Sequence, residues 1–153
     1  MLPDFRDWVA PHVPAMALLA ARLAPDADRD DVVQEALLAA WRKFGQFDPG
    51  RGTPKSWLLA IVADQAGKSR RRRRAIAGFD DIRTHDDQPA DVDLERAVRT
   101  LPHRQRQAVA LYYFLDLPVA EIAVVMRCSE GTVKATLSHS RDRLKRELGA
   151  EFR

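Results

Sequence analysis

The sequence has little cysteine, few aromatic residues and no long apolar run among its 153 residues. The one cysteine, Cys128, excludes an intramolecular disulfide and a metal site built from several thiolates. The four histidines are too scattered to suggest a metal site of their own. The apolar runs fall far short of the roughly 20 residues that cross a bilayer, and the first residues lack the basic start and apolar centre of a secretory signal. We therefore expect a cytoplasmic protein with no membrane span and no metal.

The residue patterns of an enzyme are also missing. The stretch "DPGRGTPKS", Asp48 to Ser56, lacks the spacing and the preceding strand of a nucleotide-binding loop. The stretch "DADRDD", Asp26 to Asp31, lacks the glycine and the final glutamate of a calcium loop. No set of Ser, His and Asp can be placed together with confidence. The sequence thus predicts neither catalysis nor a cofactor.

Charge is distributed unevenly along the chain, although the net value is only +3. Residues 1–75 carry 13 basic against 9 acidic side chains, residues 76–92 carry 1 against 5, and residues 93–153 carry 11 against 8. Two basic segments therefore flank an acidic one. This pattern is typical of two modules that each approach a polyanion, joined by a segment that does not.

Helical periodicity dominates, and no stretch alternates apolar and polar residues convincingly as a strand would. Residues 76–92, "IAGFDDIRTHDDQPADV", lack periodicity and are rich in Asp, which is typical of a linker. The sequence therefore predicts an all-α protein with two small helical domains, residues 1–75 and 93–153, joined by a flexible acidic linker.

Three helices are expected in the first domain. One runs from about Phe5 to Leu23 and bends near its prolines. The next begins after "DADRDD" and buries apolar side chains spaced by three and four residues, namely Val33, Leu37, Ala40, Trp41 and Phe44. The third begins at Thr53 and Pro54, a hydroxyl cap followed by proline in the first turn, and ends in "KSRRRRR".

The second domain is expected to end in a helix-turn-helix. One helix runs from Val119 to Met126 and another from Ser129, its N-cap, to about Leu148. The last helix then exposes a polar set that a recognition helix would place in a DNA major groove, namely Glu130, Thr132, Lys134, Ala135, Ser138, His139 and Arg141. An ordinary helical hairpin with a solvated face is the alternative interpretation.

Five consecutive arginines, Arg70 to Arg74, continue the third helix. Because a helix turns by about 100° per residue, they cannot share one face. We expect some of them to contact phosphate and others to contact a partner or water. A solvated tail is the alternative.

Two long stretches together resemble the extracytoplasmic-function group of bacterial RNA polymerase sigma factors. "DDVVQEALLAAWRKFGQFDPGRGTPKSWLLAIVADQA", Asp30 to Ala66, is similar to the polymerase-binding domain of that group, and "LPHRQRQAVALYYFLDLPVAEIAVVMRCSEGTVKATLSHSRDRLKREL", Leu101 to Leu148, is similar to its promoter-reading domain. The resemblance implies a sigma factor that binds core RNA polymerase, directs it to promoters and opens the DNA. It also implies an anti-sigma factor as a further partner.

The resemblance also implies roles for individual residues. The polymerase-binding helix matches at Asp31, Gln34, Glu35 and Trp41, which would dock on the clamp helices of the largest subunit. The segment that opens the minus-ten element would hold extruded bases and phosphates with Arg51, Thr53, Lys55, Lys68, Arg70 and Arg71. The minus-thirty-five element would be read by Lys134, Thr136, Ser138, His139 and Arg141, on a domain that also rides on the beta-subunit flap.

Six positions depart from the family pattern, and two of them, Thr136 and His139, stand where arginines are frequent. Ala63 and Asp64 stand where Arg-Asn is common, and Pro54 replaces a common aromatic residue. Arg127 stands where glycine is frequent in the helix-turn-helix turn, and a left-handed backbone there would cost a non-glycine residue roughly 1 kcal/mol. Two other functions therefore stay open at this point. One is a regulator that binds duplex DNA without polymerase, and the other is a sigma-like interaction protein that does not open promoters.

Overall fold

The computed structural model describes residues 4–77 and 93–149, and every regular element in these two ranges is helical. The α-helices are α1 (Phe5–Val9), α2 (Val13–Leu23), α3 (Asp26–Lys43), α4 (Pro54–Ala77), α5 (Asp93–Arg99), α6 (His103–Val109), α7 (Val119–Met126) and α8 (Glu130–Leu148). Three-residue 3-10 turns cover Ala10–His12, Phe44–Gln46 and Pro49–Arg51, and a π-helical turn covers Ala110–Phe114. The prediction of an all-α fold is confirmed. Within the described residues, each helix is too short or too polar to cross a bilayer.

The linker prediction is wrong at its first residues, because α4 continues to Ala77. Residues 78–92, which hold the acidic side chains of that segment, lie outside the described residues. The predicted bend between Phe5 and Leu23 is confirmed, since the 3-10 turn Ala10–His12 separates α1 from α2.

Helix α3 differs from the prediction at its start and on its buried face. It begins at Asp26 rather than after Asp31, because Pro25 supplies an extended residue before it and acids suit a helix N-terminus. Its inward face is Val32, Ala36 and Ala40, with Val33 and Leu37 partly covered. The prediction that Trp41 is buried is wrong, since 62% of it is exposed.

The first domain packs α2, α3 and α4 around fully buried side chains, among them Met16, Leu19, Leu58 and Val62. An aromatic group centred on Trp8 closes one end. Its ring lies 4.9 Å from that of Phe44, 5.2 Å from that of Phe47 and 5.8 Å from that of Trp57, measured between centroids. This group fixes the start of the loop that leads into α4.

In the second domain, α6 and α7 pack on α8, and α5 joins α6 and α8. The inward residues of α8 are buried and spaced by three and four, namely Val133, Leu137, Ser140 and Leu144. The two domains also touch, because α4 lies along α7 and α2 contacts the π-helical turn and α6. One buried apolar cluster continues from α2 and α4 into Leu111, Ile122 and Val125. The domains therefore form one packed body across the described residues.

Candidate nucleic-acid and polymerase interface

The four residues predicted to bind polymerase share one exposed face of α3. At about 100° per residue, Asp31, Gln34, Glu35 and Trp41 fall within an arc of about 120°. Leu38 lies in the middle of this arc and is 40% exposed. An indole and a leucine that stay in solvent beside acids and an amide are typical of the apolar centre of a protein contact. The structure thus brings this predicted set together as one surface.

The loop before α4 holds the first predicted DNA contacts in a defined shape. Asp48 accepts a hydrogen bond from the Gly50 amide at 2.9 Å, and Arg51 extends into solvent. Thr53 caps α4 as predicted, since its hydroxyl accepts from the Ser56 amide at 3.0 Å. The Thr53 hydroxyl also lies 3.2 Å from Oε1 of Glu121 on α7, so it already has a partner in the second domain.

Not all predicted basic residues of α4 face the same way. Lys68 and Arg71 are exposed and lie one turn apart on one face. Lys55 is half-buried and lies about 140° from Lys68 around the helix axis. The structure therefore does not bring Lys55 together with Lys68, and the two would meet different parts of a bound strand.

The five arginines do not share one face, as the helical spacing predicted, but Arg73 contacts Asp28 within the chain, which the sequence did not predict. Arg73 donates from Nε to Oδ2 of Asp28 at 2.5 Å, and the Ser69 hydroxyl donates to the same oxygen at 3.1 Å. The hydrogen bond from Arg73 is the largest effect that lowers the pKa of Asp28. Arg70 is half-buried, and burial followed by the charges of Arg74 and Arg71 lowers its pKa. Arg71, Arg72 and Arg74 remain exposed for phosphate.

His103, at the start of α6, lies close to α4. Its Nε2 would be 3.8 Å from a side-chain carbon placed on Gly67, and it accepts a hydrogen bond from the Gln107 amide at 2.9 Å. Burial lowers the pKa of His103 to about 4, with smaller contributions from Arg70, Arg106, Arg104 and Arg71. The ring is therefore neutral at physiological pH, which lets the basic end of α4 approach α6 without a further positive charge.

The recognition helix α8 has the expected start and outer face. Ser129 accepts a hydrogen bond from the Thr132 amide at 3.0 Å, which confirms the predicted N-cap. Lys134, Ser138 and Arg141 form one exposed stripe, whereas exposed His139 lies about 100° or more around the helix from each of them. Thr136 is not brought into this set. It is half-buried, its hydroxyl donates to the Thr132 carbonyl at 2.7 Å, and it lies about 140° from Arg141.

Tyr113 contacts the recognition helix, a residue that the sequence patterns did not single out. Its hydroxyl accepts a hydrogen bond from Nη1 of Arg141 at 3.0 Å. Tyr113 lies in the π-helical turn, whose wider spacing changes the directions of its side chains relative to an α-helix. The run "LYYF" gave no sign of that turn.

The turn between α7 and α8 has the left-handed residue that the sequence suggested. Arg127 adopts φ 55° and ψ 49°. Its guanidinium donates to both carboxylate oxygens of Asp64, at 3.0 and 2.9 Å. The sequence marked both residues as unusual but gave no reason to pair them, because 63 positions separate them.

Comparison with known protein families matches both domains. Residues 8–76 match the family described as sigma-70 region 2, and residues 91–144 match sigma-70, region 4. The chain is similar to the ECF RNA polymerase sigma factor EcfG of Rhodopseudomonas palustris, with 31% identity over 97% of this chain and 88% of the relative. It is also similar to the ECF RNA polymerase sigma factor SigM of Mycobacterium tuberculosis, with 34% identity over 88% of this chain and 70% of that protein.

Two solved structures share the fold. The sigma factor RpoE of Bartonella quintana, in complex with the anti-sigma factor NepR, superposes with a TM-score of 0.77 and 25% identity over 96% of this chain and 98% of that one. CnrH, in complex with the cytosolic domain of CnrY, superposes with a TM-score of 0.70 and 24% identity over 94% and 86% of the two chains.

Proposed function

This chain belongs to the extracytoplasmic-function sigma factors of the sigma-70 family, and from that premise we propose how its surfaces divide the work of promoter use. It is a sigma factor that binds core RNA polymerase, directs the enzyme to promoters and promotes opening of the DNA. We assign it no catalytic step of its own. Since polymerase and chromosome are cytoplasmic in bacteria, we place it there.

In our proposal, the exposed face of α3 docks on the clamp helices of the largest polymerase subunit. The single observation that supports this assignment best is Trp41, which leaves 62% of its surface in solvent next to Leu38. A large aromatic side chain of this kind, on the same face of α3 as Asp31 and Glu35, has the composition of an interface anchor.

The second part of the proposal assigns DNA contacts to two separate surfaces. The loop before α4, with Arg51 and Thr53, and the basic end of α4, with Lys68, Arg70 and Arg71, take up the opened minus-ten strand. Lys134, Ser138 and Arg141 on α8 read the minus-thirty-five element, with exposed His139 as a flanking contact. Lys55 and Thr136 stay in the proposal as flanking contacts, because each is half-buried and turned away from its group.

An anti-sigma factor is the third partner. The RpoE structure was captured with an anti-sigma factor, NepR. The RpoE structure superposes over 96% of this chain, which requires both domains to match together. We therefore propose that an anti-sigma factor holds this protein in a closed arrangement of its two domains.

Transcription from a library of random promoter sequences tests the sigma function. Purified protein and core polymerase are mixed with the library, and the 5′ ends of the transcripts are sequenced. We expect a shared two-part motif at fixed spacing upstream of the start sites. Transcripts without any common motif, when a control sigma factor on the same core yields one, would overturn the assignment.

A further inference from the structure

Two residues that depart from the family pattern meet across the boundary between the domains. Asp64 lies on α4 directly after Ala63, which is 6% exposed, and Arg127 ends α7. The guanidinium of Arg127 donates to both oxygens of the Asp64 carboxylate, at 3.0 and 2.9 Å. Glycine would adopt the left-handed backbone of Arg127 more easily but could not reach Asp64. The arginine at this position therefore adds an interdomain contact in place of an easier turn.

A second contact joins α7 to the loop before α4. The Thr53 hydroxyl lies 3.2 Å from Oε1 of Glu121 on α7. A side-chain carbon added to Gly52 would come within 3.3 Å of Cγ1 of Val124, also on α7. The first helix of the helix-turn-helix therefore lies against one side of the loop that the proposed function assigns to the opened strand, while Arg51 of that loop stays in solvent.

A third contact joins the domains further from that loop. The guanidinium of Arg22 on α2 forms an ion pair with Glu95 on α5. The same group lies 4.0 Å from the ring centroid of Phe114, in the π-helical turn. Three separate polar contacts thus accompany the apolar packing between the domains.

We infer that the Asp64–Arg127 pair is a latch that stabilises a closed, inactive arrangement of the free protein, in which α7 is held against the promoter-opening loop at Gly52 and Thr53. The inference rests on the proposed function, because it takes the promoter-opening surface to be the loop before α4 and the adjoining face of α4. The pair is bidentate but stays in contact with solvent, with 65% of the Arg127 side chain and 40% of the Asp64 side chain exposed. Such a pair changes an equilibrium by about two- to fivefold, so polymerase docking can open it.

Fluorescence energy transfer in the full-length protein tests the latch directly. Cys128 is replaced by alanine, and cysteines for the two dyes replace exposed Lys43 on α3 and exposed Lys145 on α8. Asp64→Arg and Arg127→Asp each place like charges opposite one another, and the double variant restores an opposite pair. We expect each single variant to shift the ratio of open to closed molecules by about two- to fivefold, and the double variant to return toward the wild type.

Matched controls separate the pair from charge alone. Asp7→Arg and Arg6→Asp make the same charge changes at exposed positions of α1 and should leave energy transfer unchanged. Far-UV circular dichroism checks that all variants keep their helices. Single variants with wild-type energy transfer, or a double variant as open as the singles, would overturn the latch.

Transcription then connects the latch to function. We expect each single variant to reach half-maximal transcript at about two- to fivefold lower protein concentration than the wild type, with the double variant reverting. Because the double variant keeps an arginine at position 64, reversion excludes a simple gain of phosphate affinity. Transcription that is equal in all variants contradicts the latch alone, whereas no specific transcript from any of them contradicts the proposed function.

Discussion

His103 shows at the residue scale how the two domains tolerate so much positive charge at their boundary. Burial and four surrounding arginines lower its pKa from 6.5 to about 4 in the folded protein. The unfolded chain therefore binds more protons than the folded one between these two values. Folding stability that is present above pH 6.5 is lost as the pH falls toward 4.

Replacing His103 by glutamine removes this titration and keeps a polar partner for Gln107. Between pH 6.5 and 4, we expect the free energy of unfolding to fall by about 1–2 kcal/mol more in the wild type than in His103→Gln. This is less than the full linkage value, because water still reaches part of the His103 ring. Urea unfolding at a series of pH values measures the difference. Parallel pH profiles for the two proteins would show that His103 stays protonated or exposed in the fold.

At the scale of single elements, the N-cap stabilises α8, whose outer face is polar. Ser129 satisfies the Thr132 amide, so Ser129→Ala should lower the free energy of unfolding by about 1 kcal/mol. Ser138→Ala is the matched control, since Ser138 is exposed in mid-helix and its loss should change stability by less than about 0.5 kcal/mol. Chemical unfolding of the wild type and the two variants measures these differences. Equal free energies of unfolding for Ser129→Ala and Ser138→Ala would contradict the capping role.

The exposed face of α3 makes a prediction about polymerase. Glu35→Lys reverses a charge on the face that carries Trp41, and Trp41→Ala removes the apolar anchor, so each should weaken core binding by about tenfold while the fold is unchanged. Asp7→Lys on α1 carries the same charge change as the first variant and serves as its control. Binding is measured by titration of labelled core polymerase. If both α3 variants bind like the wild type, this face does not dock there.

Much of this element structure could be predicted from periodicity and caps. The bounds of α7 and the inward face of α8 follow from apolar spacing, and Thr53 and Ser129 follow from local hydrogen-bond chemistry. The start of α3 was missed although Pro25 and the acids after it suit a helix start, whereas the contacts of Asp28 with Ser69 and Arg73 of a distant helix could not be predicted. Exposure of Trp41 was missed because a spacing rule cannot distinguish a core residue from an interface residue on the edge of the apolar face.

Only part of the candidate site could be predicted from the sequence, for the same reason. Chemistry carried by one helix, such as the stripe of Lys134, Ser138 and Arg141, shows in the spacing of the sequence. Pairs that tertiary packing brings together, such as Asp64 with Arg127 and Tyr113 with Arg141, do not. The sequence marked Asp64 and Arg127 only as unusual residues. Their contact in the structure explains both of these departures together.

At the scale of the whole molecule, the sequence suggested two modules on a flexible joint, and the structure packs them together. The apolar cluster that runs from α2 and α4 into α7 makes the closed arrangement the resting one. Polymerase and promoter would separate the domains, whereas an anti-sigma factor would keep them together. The same chain thus carries one surface that recognises the promoter and another that opens the DNA. The two surfaces cannot both be used while the chain is closed.

Permanganate footprinting on a linear duplex promoter tests the central claim most directly, because it reports unpaired thymines. With core polymerase and this protein together, we expect reactive thymines in the minus-ten element, and none with either component alone. A stable polymerase complex on the promoter in which every thymine stays protected would contradict the account. It would identify instead a sigma-like protein that binds polymerase without opening DNA.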